Sequence, residues 1–569
     1  MEENMKKLIA LTLSAALSLT LFSACGQTQT QTTRHTGTGD GYGGAITATV
    51  STDENGKIVA LEIAGPDETA GIGDKAIETI TAAILEKGSV EGVDAVAGAT
   101  WSSNGAIYAV NNALDPEAYP YPVESAGSEA DSVSSAEAAM GLGVVSTGRL
   151  GPGSDDTETP VYSFNQVYAA VVFDQEGKIL SMKLDQLEVA TPNYDGDGMP
   201  HFAGFPGQSY NYDEDHDAVV DGTLAYDDDS YLEAIAAWQT KRERGDSYKM
   251  GVGTWADQAD AFEALFVGMT VDEVEAWFAK YCSDVNGRPL KAPTEDSKEE
   301  DKAKYEALSA DEQAMLADVT ASATMSLNDS HGDILSAIRK AYENRKPLEA
   351  MAATGFGLGL DFMGRLGPGS DDTETPVYSF NNVVAAVLFD ENDVITGIYL
   401  DQVEVATPNY DGDGMPHFAG FPGQSYNYDE DHDAVVDGTL TYDDDSFLEA
   451  VAAWQTKRER GDSYKMGVGT WADQADAFEA LFVGMTVDEA NEWFAKYCSD
   501  ANGRPLKAPT EDSKEEDKAK YEALTADEQT MLADVTASAT MSLNDSHGNI
   551  LGAIQAALES KSAVDITIG

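Results

Sequence analysis

The sequence predicts an α+β fold in which one small domain precedes two copies of a larger unit, and three observations carry that reading. Residues 45–50 and 57–63 alternate apolar and polar around Glu54-Asn55-Gly56, the pattern of a β-hairpin whose Asn-Gly pair supplies positive φ angles. Apolar residues at helical spacing follow near 74–87 and again from Ser102 to Leu114. Residues 141–348 then recur at 357–564 with a constant shift of 216, and the segments 188–224 and 236–273 return as 404–440 and 452–489 without a change. With roughly 100–200 residues expected per domain, the chain divides into a leader (1–25), a stalk (26–40), a small domain (41–116), a Pro/Ser/Glu-rich linker (117–140) and the two repeats, each long enough to build a core. Near identity marks a recent duplication, so an unchanged residue inside the repeat is not evidence of selection.

The leader sets an expectation about location. Lys6 and Lys7 precede an apolar run from Leu8 to Phe22 and then Ser23-Ala24-Cys25, the shape of a signal peptide ending in a lipoprotein cleavage box. The run is shorter than the about 20 apolar residues a membrane span needs. Cleavage before Cys25 would leave a lipid-bearing cysteine that tethers the mature protein to the outer face of a cell membrane, with the bilayer as its first partner. Phe22 stands where Leu is commoner, and a plain secretory signal with an incidental cysteine is the alternative. The Thr/Gln/Gly-rich residues 26–40 read as a flexible stalk.

Charge excludes some partners. Lys+Arg 35 against Asp+Glu 100 gives a net charge of −65, which argues against nucleic acid and anionic lipid surfaces, since both are bound through cations. Beyond Cys25 the cysteines are Cys282 and Cys498, at equivalent positions of the two repeats, so neither repeat can close a disulfide within itself.

The chemistry concentrates in two segments of the small domain, Glu68-Thr69-Ala70-Gly71-Ile72-Gly73 and Asp94-Ala95-Val96-Ala97-Gly98-Ala99-Thr100-Trp101-Ser102. Gly98 lets backbone come close to a ligand. Thr100 offers a hydroxyl at the mouth of a helix, where unpaired N–H groups favour a phosphate. The order and spacing of these pieces resemble the FMN-binding domain of bacterial flavoproteins, including periplasmic subunits of sodium-pumping NADH:quinone oxidoreductases. In that family a flavin transferase moves FMN onto the threonine of a Ser/Thr-Gly-Ala-Thr motif through a phosphoester bond. The resemblance implies covalent FMN at Thr100, Asp94 as the acid heading the transferase recognition motif, Gly98 and Ala99 as its core, and Ser102 beside it. Glu68, Thr69, Gly71 and Gly73 then match the segment near the bound flavin. Ala97 departs from the usual Ser or Thr, and Ala70 from the usual Pro.

Each repeat reads as an enlarged copy of the same domain. Val167–Phe173, Gly177-Lys178-Ile179 and the strand to Val189 restate the hairpin, Met250-Gly251-Val252-Gly253 restates the glycine segment, and Asp318 to Ser326 lines up with Asp94 to Ser102. Thr324 and Thr540 are thereby further candidate flavin sites. Ser322 and Ser538 replace the motif glycine, and Tyr248-Lys249 and Tyr464-Lys465 replace Glu-Thr, which argues against attachment there. Asn193-Tyr194-Asp195-Gly196-Asp197-Gly198 has the acid spacing of a calcium loop, but Gly204 stands where the closing Glu belongs, and an acidic solvated loop is the alternative. His201 and His216 lack the companions of a transition-metal site. Tyr162, Phe164, Phe202, Phe205 and Tyr210 are expected in the core or over a pocket.

Three functions compete. The first is a membrane-tethered flavoprotein that relays electrons to surface redox partners, after maturation by a flavin transferase. The second is an adhesion or binding lipoprotein with repeated modules. The third is the accessory FMN module of a reductase; no G-x-G-x-x-G after a strand suggests a nicotinamide site.

Overall fold

A computed structural model describes residues 33–40, 45–53, 56–65, 73–90, 93, 96, 100–116, 119, 138–151, 161–194, 198–213, 219–349, 351–367, 377–410, 414–429 and 435–568. The expected leader and Cys25 lie outside these residues. The chain forms two compact units, Met1–Ser128 and Glu129–Gly569, of α+β class. Among the described residues no helix is long and apolar enough to cross a membrane.

In the first unit, strands β1 (Thr33–Asp40), β2 (Ala45–Thr52) and β3 (Ile58–Ala64) form an antiparallel sheet in chain order. The hairpin turns at Gly56, with φ of 77°, and Asp53 Oδ1 accepts from the Lys57 amide at 3.0 Å. Helices α1 (Gly73–Lys87) and α2 (Thr100–Leu114) pack on the sheet. Ile46, Ala48 and Val50, two apart on one strand face, meet Ile77, Ile80 and Ile84 of α1 and Ala106, Ala109 and Val110 of α2.

The stalk expected over 26–40 is corrected at its end: residues 33–40 pair with β2 along their whole length. The glycines that read as a flexible linker have a packing reason. A Cβ on Gly37 would lie 2.2 Å from the Ala113 amide nitrogen, and one on Gly39 would lie 2.4 Å from the Gly105 carbonyl oxygen, so β1 can take α2 against its backbone only where side chains are missing.

The second unit holds both repeats. The first contributes β4 (Ala139–Leu150), β5 (Tyr162–Phe173) and β6 (Ile179–Ala190), then helices α3 (Asp228–Ala236), α4 (Trp255–Phe266), α5 (Val271–Tyr281), α6 (Glu299–Glu306), α7 (Ala310–Ser322) and α8 (Ile334–Glu343), and the short strand β7 (Lys346–Pro347). The second contributes β8 (Met351–Leu366), β9 (Tyr378–Phe389), β10 (Ile395–Ala406), α9 (Asp444–Ala452), α10 (Trp471–Phe482), α11 (Val487–Tyr497), α12 (Glu515–Glu522), α13 (Ala526–Ser538), α14 (Ile550–Glu559) and β11 (Ser562–Ile568). The sheets run β7-β4-β5-β6 and β10-β9-β8-β11. Residues 139–140, assigned to the linker by composition, open β4, and Met140 is buried.

Both repeats use the glycine device of the small domain. Cβ atoms on Gly141 and Gly143 would strike the Ala341 and Ala337 carbonyl oxygens of α8 at 1.8 and 1.9 Å, and Gly357 and Gly359 face Ala557 and Ala553 of α14 in the same way. Three-stranded meander, glycine pair on the first strand and helix across it thus occur three times. The repeats thus restate, enlarged, the architecture of the small domain.

Each repeat has a core of its own, and a third core is built by both. Phe164, Phe202, Phe205 and Trp238 interlock there with Phe380, Phe418, Phe421 and Trp454. The polar contacts occur in exchanged pairs, the pattern of a two-fold axis: Tyr162 Oη donates to Asp444 at 3.2 Å and Tyr378 Oη to Asp228 at 3.3 Å, while Gln208 Nε2 donates to the Ala419 carbonyl and Gln424 Nε2 to the Ala203 carbonyl, both at 2.6 Å. The aromatic residues singled out in the sequence are therefore core residues.

Candidate functional site

The two motif segments of the small domain each run into a helix start. Gly73 is the first residue of α1 and Thr100 the first of α2. Glu68, Thr69, Gly71, Asp94, Gly98 and Ala99 lie outside the described residues, and for Thr100 and Ser102 only the backbone is described. The first N–H groups of a helix have no partners within it and carry the positive end of its dipole. The first turn of α2 contains no acidic residue, whereas the first turns of α3 to α7 each carry at least one, as at Asp228, Asp257, Glu273, Glu299 and Glu312. In a chain with 100 acids that leaves the start of α2 suited to an external phosphate.

Ser103, which sequence reasoning passed over, fixes the approach to this helix. It is fully buried, and its Oγ accepts from the Val96 amide at 3.0 Å, tying the segment before Thr100 to the first turn of α2. The signal was present: Ser103, Ala106, Val110 and Ala113 fall on one helical stripe, and a serine on an apolar stripe needs a partner. At the far end, Asn112 Oδ1 accepts from the Thr38 amide at 2.8 Å, which locks β1 to α2.

The repeats depart from this arrangement. Asp318 and Ser322 lie inside α7 and Asp534 and Ser538 inside α13, so the residues aligned with the motif are helical. Thr324 stands ten residues ahead of α8, not at its start. Gln258 Oε1, fully buried, accepts from the Thr324 amide at 2.8 Å, the Met325 amide at 2.9 Å and the Thr324 hydroxyl at 3.3 Å; Gln474 holds Thr540 identically. The start of α8 is closed by its own cap, Asp333, whose carboxylate accepts from the Ser336 amide at 2.9 Å and the Ser336 hydroxyl at 2.6 Å; Asn549 caps α14. Arg244 covers the ring of Tyr248, the residue in place of the motif Glu, at 4.1 Å. Thr324 does line a cavity of about 240 Å³ with Ser283, Arg288, Lys291 and Lys302.

His201 Nε2 contacts the Tyr194 carbonyl at 2.9 Å and holds its loop. Residues 195–197 and 214–218, on which the calcium reading and His216 fall, lie outside the described residues, and among the described residues no three His, Cys, Asp or Glu gather as a metal site. Cys282 and Cys498 are free and buried, and burial pushes the Cys498 thiol up to about 12. In each repeat a carboxylate is buried with two cations: Glu188 with Arg149 and Lys241, both at 2.9 Å, and Glu404 with Arg365 and Lys457. Burial alone would raise Glu188, but Lys241 and Arg149 outweigh it and bring the group down to about 2.

Comparison with known proteins agrees with this geometry. Residues 41–115 match the FMN-binding domain family, so the chain carries a flavin-binding domain of that class. A chlorophenol reductase from Desulfitobacterium hafniense is 36% identical over 196 residues, 33% of this chain and 53% of that protein. The chain thus spans about half the length of this curated relative. Together these similarities support a flavin-linked electron-transfer role.

Proposed function

We propose that the protein is a membrane-tethered, extracytoplasmic electron carrier whose FMN is joined to Thr100 by a phosphoester, and whose repeats carry no flavin. The observation that carries this reading is the contrast among three equivalent helices: α2 begins at the motif threonine itself, while α8 and α14 begin ten residues beyond Thr324 and Thr540 and are capped by Asp333 and Asn549. FMN supplies reversible electron uptake and release. The chain supplies the Thr100 oxygen for attachment, helix-start amides that favour phosphate charge, and Ser103 to hold the approaching segment. Covalent attachment suits an exported carrier, because a dissociated cofactor would be lost to the medium. Cys25 is the proposed lipid anchor and a flavin transferase the maturation partner; the repeats serve as spacer or docking body.

The name of the reductase relative favours a second reading, in which the FMN domain feeds electrons to a reductive site. Co-expression of the full chain with a flavin transferase, followed by membrane fractionation and in-gel flavin fluorescence, tests the proposal. A fluorescent band in the membrane fraction is expected, moving to the soluble fraction or staying unprocessed in Cys25→Ser. A colourless band, or normal lipid-dependent membrane retention of Cys25→Ser, contradicts it.

A further inference from the structure

The two-fold arrangement of the repeats is broken where Lys340 has no lysine counterpart, and this break leaves a cavity whose missing occupant can be read from the intact side. On the intact side Lys340 of α8 reaches across to the second repeat: its Nζ lies 2.6 Å from Glu459 Oε1 and donates to the Val144 carbonyl at 3.0 Å. Glu459 Oε2 meanwhile accepts from the Thr456 amide at 2.9 Å. The 216-residue shift maps Lys340 to Ala556, Glu459 to Glu243 and Val144 to Leu360. Ala556, Glu243 and Leu360 line one cavity of about 90 Å³ between the repeats, together with Asp185, Lys183 and Arg242. Glu243 Oε2 accepts from the Thr240 amide at 2.8 Å, so this carboxylate is held as Glu459 is, and it lies exposed at the cavity.

A neighbouring substitution shows what compensation looks like. Lys346 pairs with Glu479 at 2.8 Å on the intact side, and its counterpart is Ser562. There the equivalent Glu263 is served instead by Lys183, at 3.3 Å, from the position held by Tyr399 in the other copy. Arg242 is likewise bound, to Asp260 at 2.7 Å and to Glu263. One lost lysine is thus replaced from within the repeat and the other, at Ala556, is not replaced among the described residues. The two cations of the cavity are offset by Glu263 and Asp260, the Glu243 carboxylate remains, and the net charge of −65 raises the local concentration of cations.

We propose that this cavity binds a primary alkylammonium ion, its NH3+ seated between the Glu243 carboxylate and the Leu360 carbonyl as the Lys340 ammonium is seated between Glu459 and Val144. Replacing lysine by alanine removes three methylene groups and the amine, so n-propylammonium matches the missing portion. The assignment is independent of the flavin.

Isothermal titration of the full chain with n-propylammonium chloride, against tetramethylammonium chloride at equal ionic strength, tests it. One saturable site per chain is expected for the primary amine and none for tetramethylammonium, which cannot donate hydrogen bonds. Ala556→Lys should remove the site and Lys340→Ala should create a second. Should Ala556→Lys fail to fold, Glu243→Gln serves instead, with an expected loss of affinity of tenfold or more. Equal binding of the two cations, or undiminished binding in Ala556→Lys or Glu243→Gln, would overturn the proposal.

Discussion

Phe164 and Phe380, one from each repeat, lie with ring centroids 5.5 Å apart and planes 1° from parallel, at the centre of the core the repeats share. Each ring also meets Trp238 and Trp454 at 5.2 to 5.9 Å. Apolar burial at that point belongs to neither repeat alone. The duplicated region is accordingly a two-fold pair fused in one chain.

Phe380→Ala should therefore destabilise both repeats together, by about 3–5 kcal/mol. Urea unfolding followed by tryptophan fluorescence should show one cooperative transition at a lower midpoint. Two transitions, with the first repeat unmoved, would show that the shared core does not couple them.

The duplication itself was legible, but its consequence was not. Every residue of β5 is buried, a strand covered on both faces, and a sequence repeat does not say which face meets the other copy. The hairpin and both helices of the small domain were readable, because alternation, Asn-Gly and 3.6-residue spacing are local signals; the helices begin at Gly73 and Thr100 against the 74 and 102 expected. β1 was missed because its Thr/Gly composition looks like a linker until the helix that needs Gly37 and Gly39 is in place. At the site, the motif located Thr100, while Ser103 and the caps Asp333 and Asn549 act through contacts that only the fold assembles.

The glycine device gives a sharp test. Gly37→Ala places a methyl 2.2 Å from backbone of α2, which cannot yield as a flexible side chain would. The small domain should lose several kcal/mol, and flavin loading should fall with it, read as fluorescence per chain. Unchanged loading and protease resistance would count against close packing of β1 on α2.

The buried triad behaves asymmetrically. Glu188→Gln leaves Arg149 and Lys241 without their counter-charge and should cost about 3–5 kcal/mol. Because the folded carboxyl sits near 2, below its value in the unfolded chain, its contribution is present above about pH 4.5 and is lost as pH falls toward 2. Urea midpoints of the two proteins should converge in acid; a constant gap from pH 7 to pH 2 would contradict this.

Asp185 and Asp401 act in the opposite sense. Burial raises them to about 7 and about 6, against partial relief from Arg242 and Arg458. The folded protein holds these protons where the unfolded chain has released them, so stability falls as pH rises from about 4 to 7. The double variant Asp185→Asn, Asp401→Asn should flatten that decline, seen in thermal midpoints across the range. An unchanged slope would mean that other groups carry it.

The central claim is one FMN, at Thr100, and intact-mass measurement with peptide mapping of the chain co-expressed with a flavin transferase tests it most directly. The account predicts the mass of a single phosphoester-linked FMN on the peptide containing Thr100, and none in Thr100→Val with the fold retained. Flavin on the peptides containing Thr324 or Thr540, or no covalent flavin on a folded wild-type chain, would contradict it.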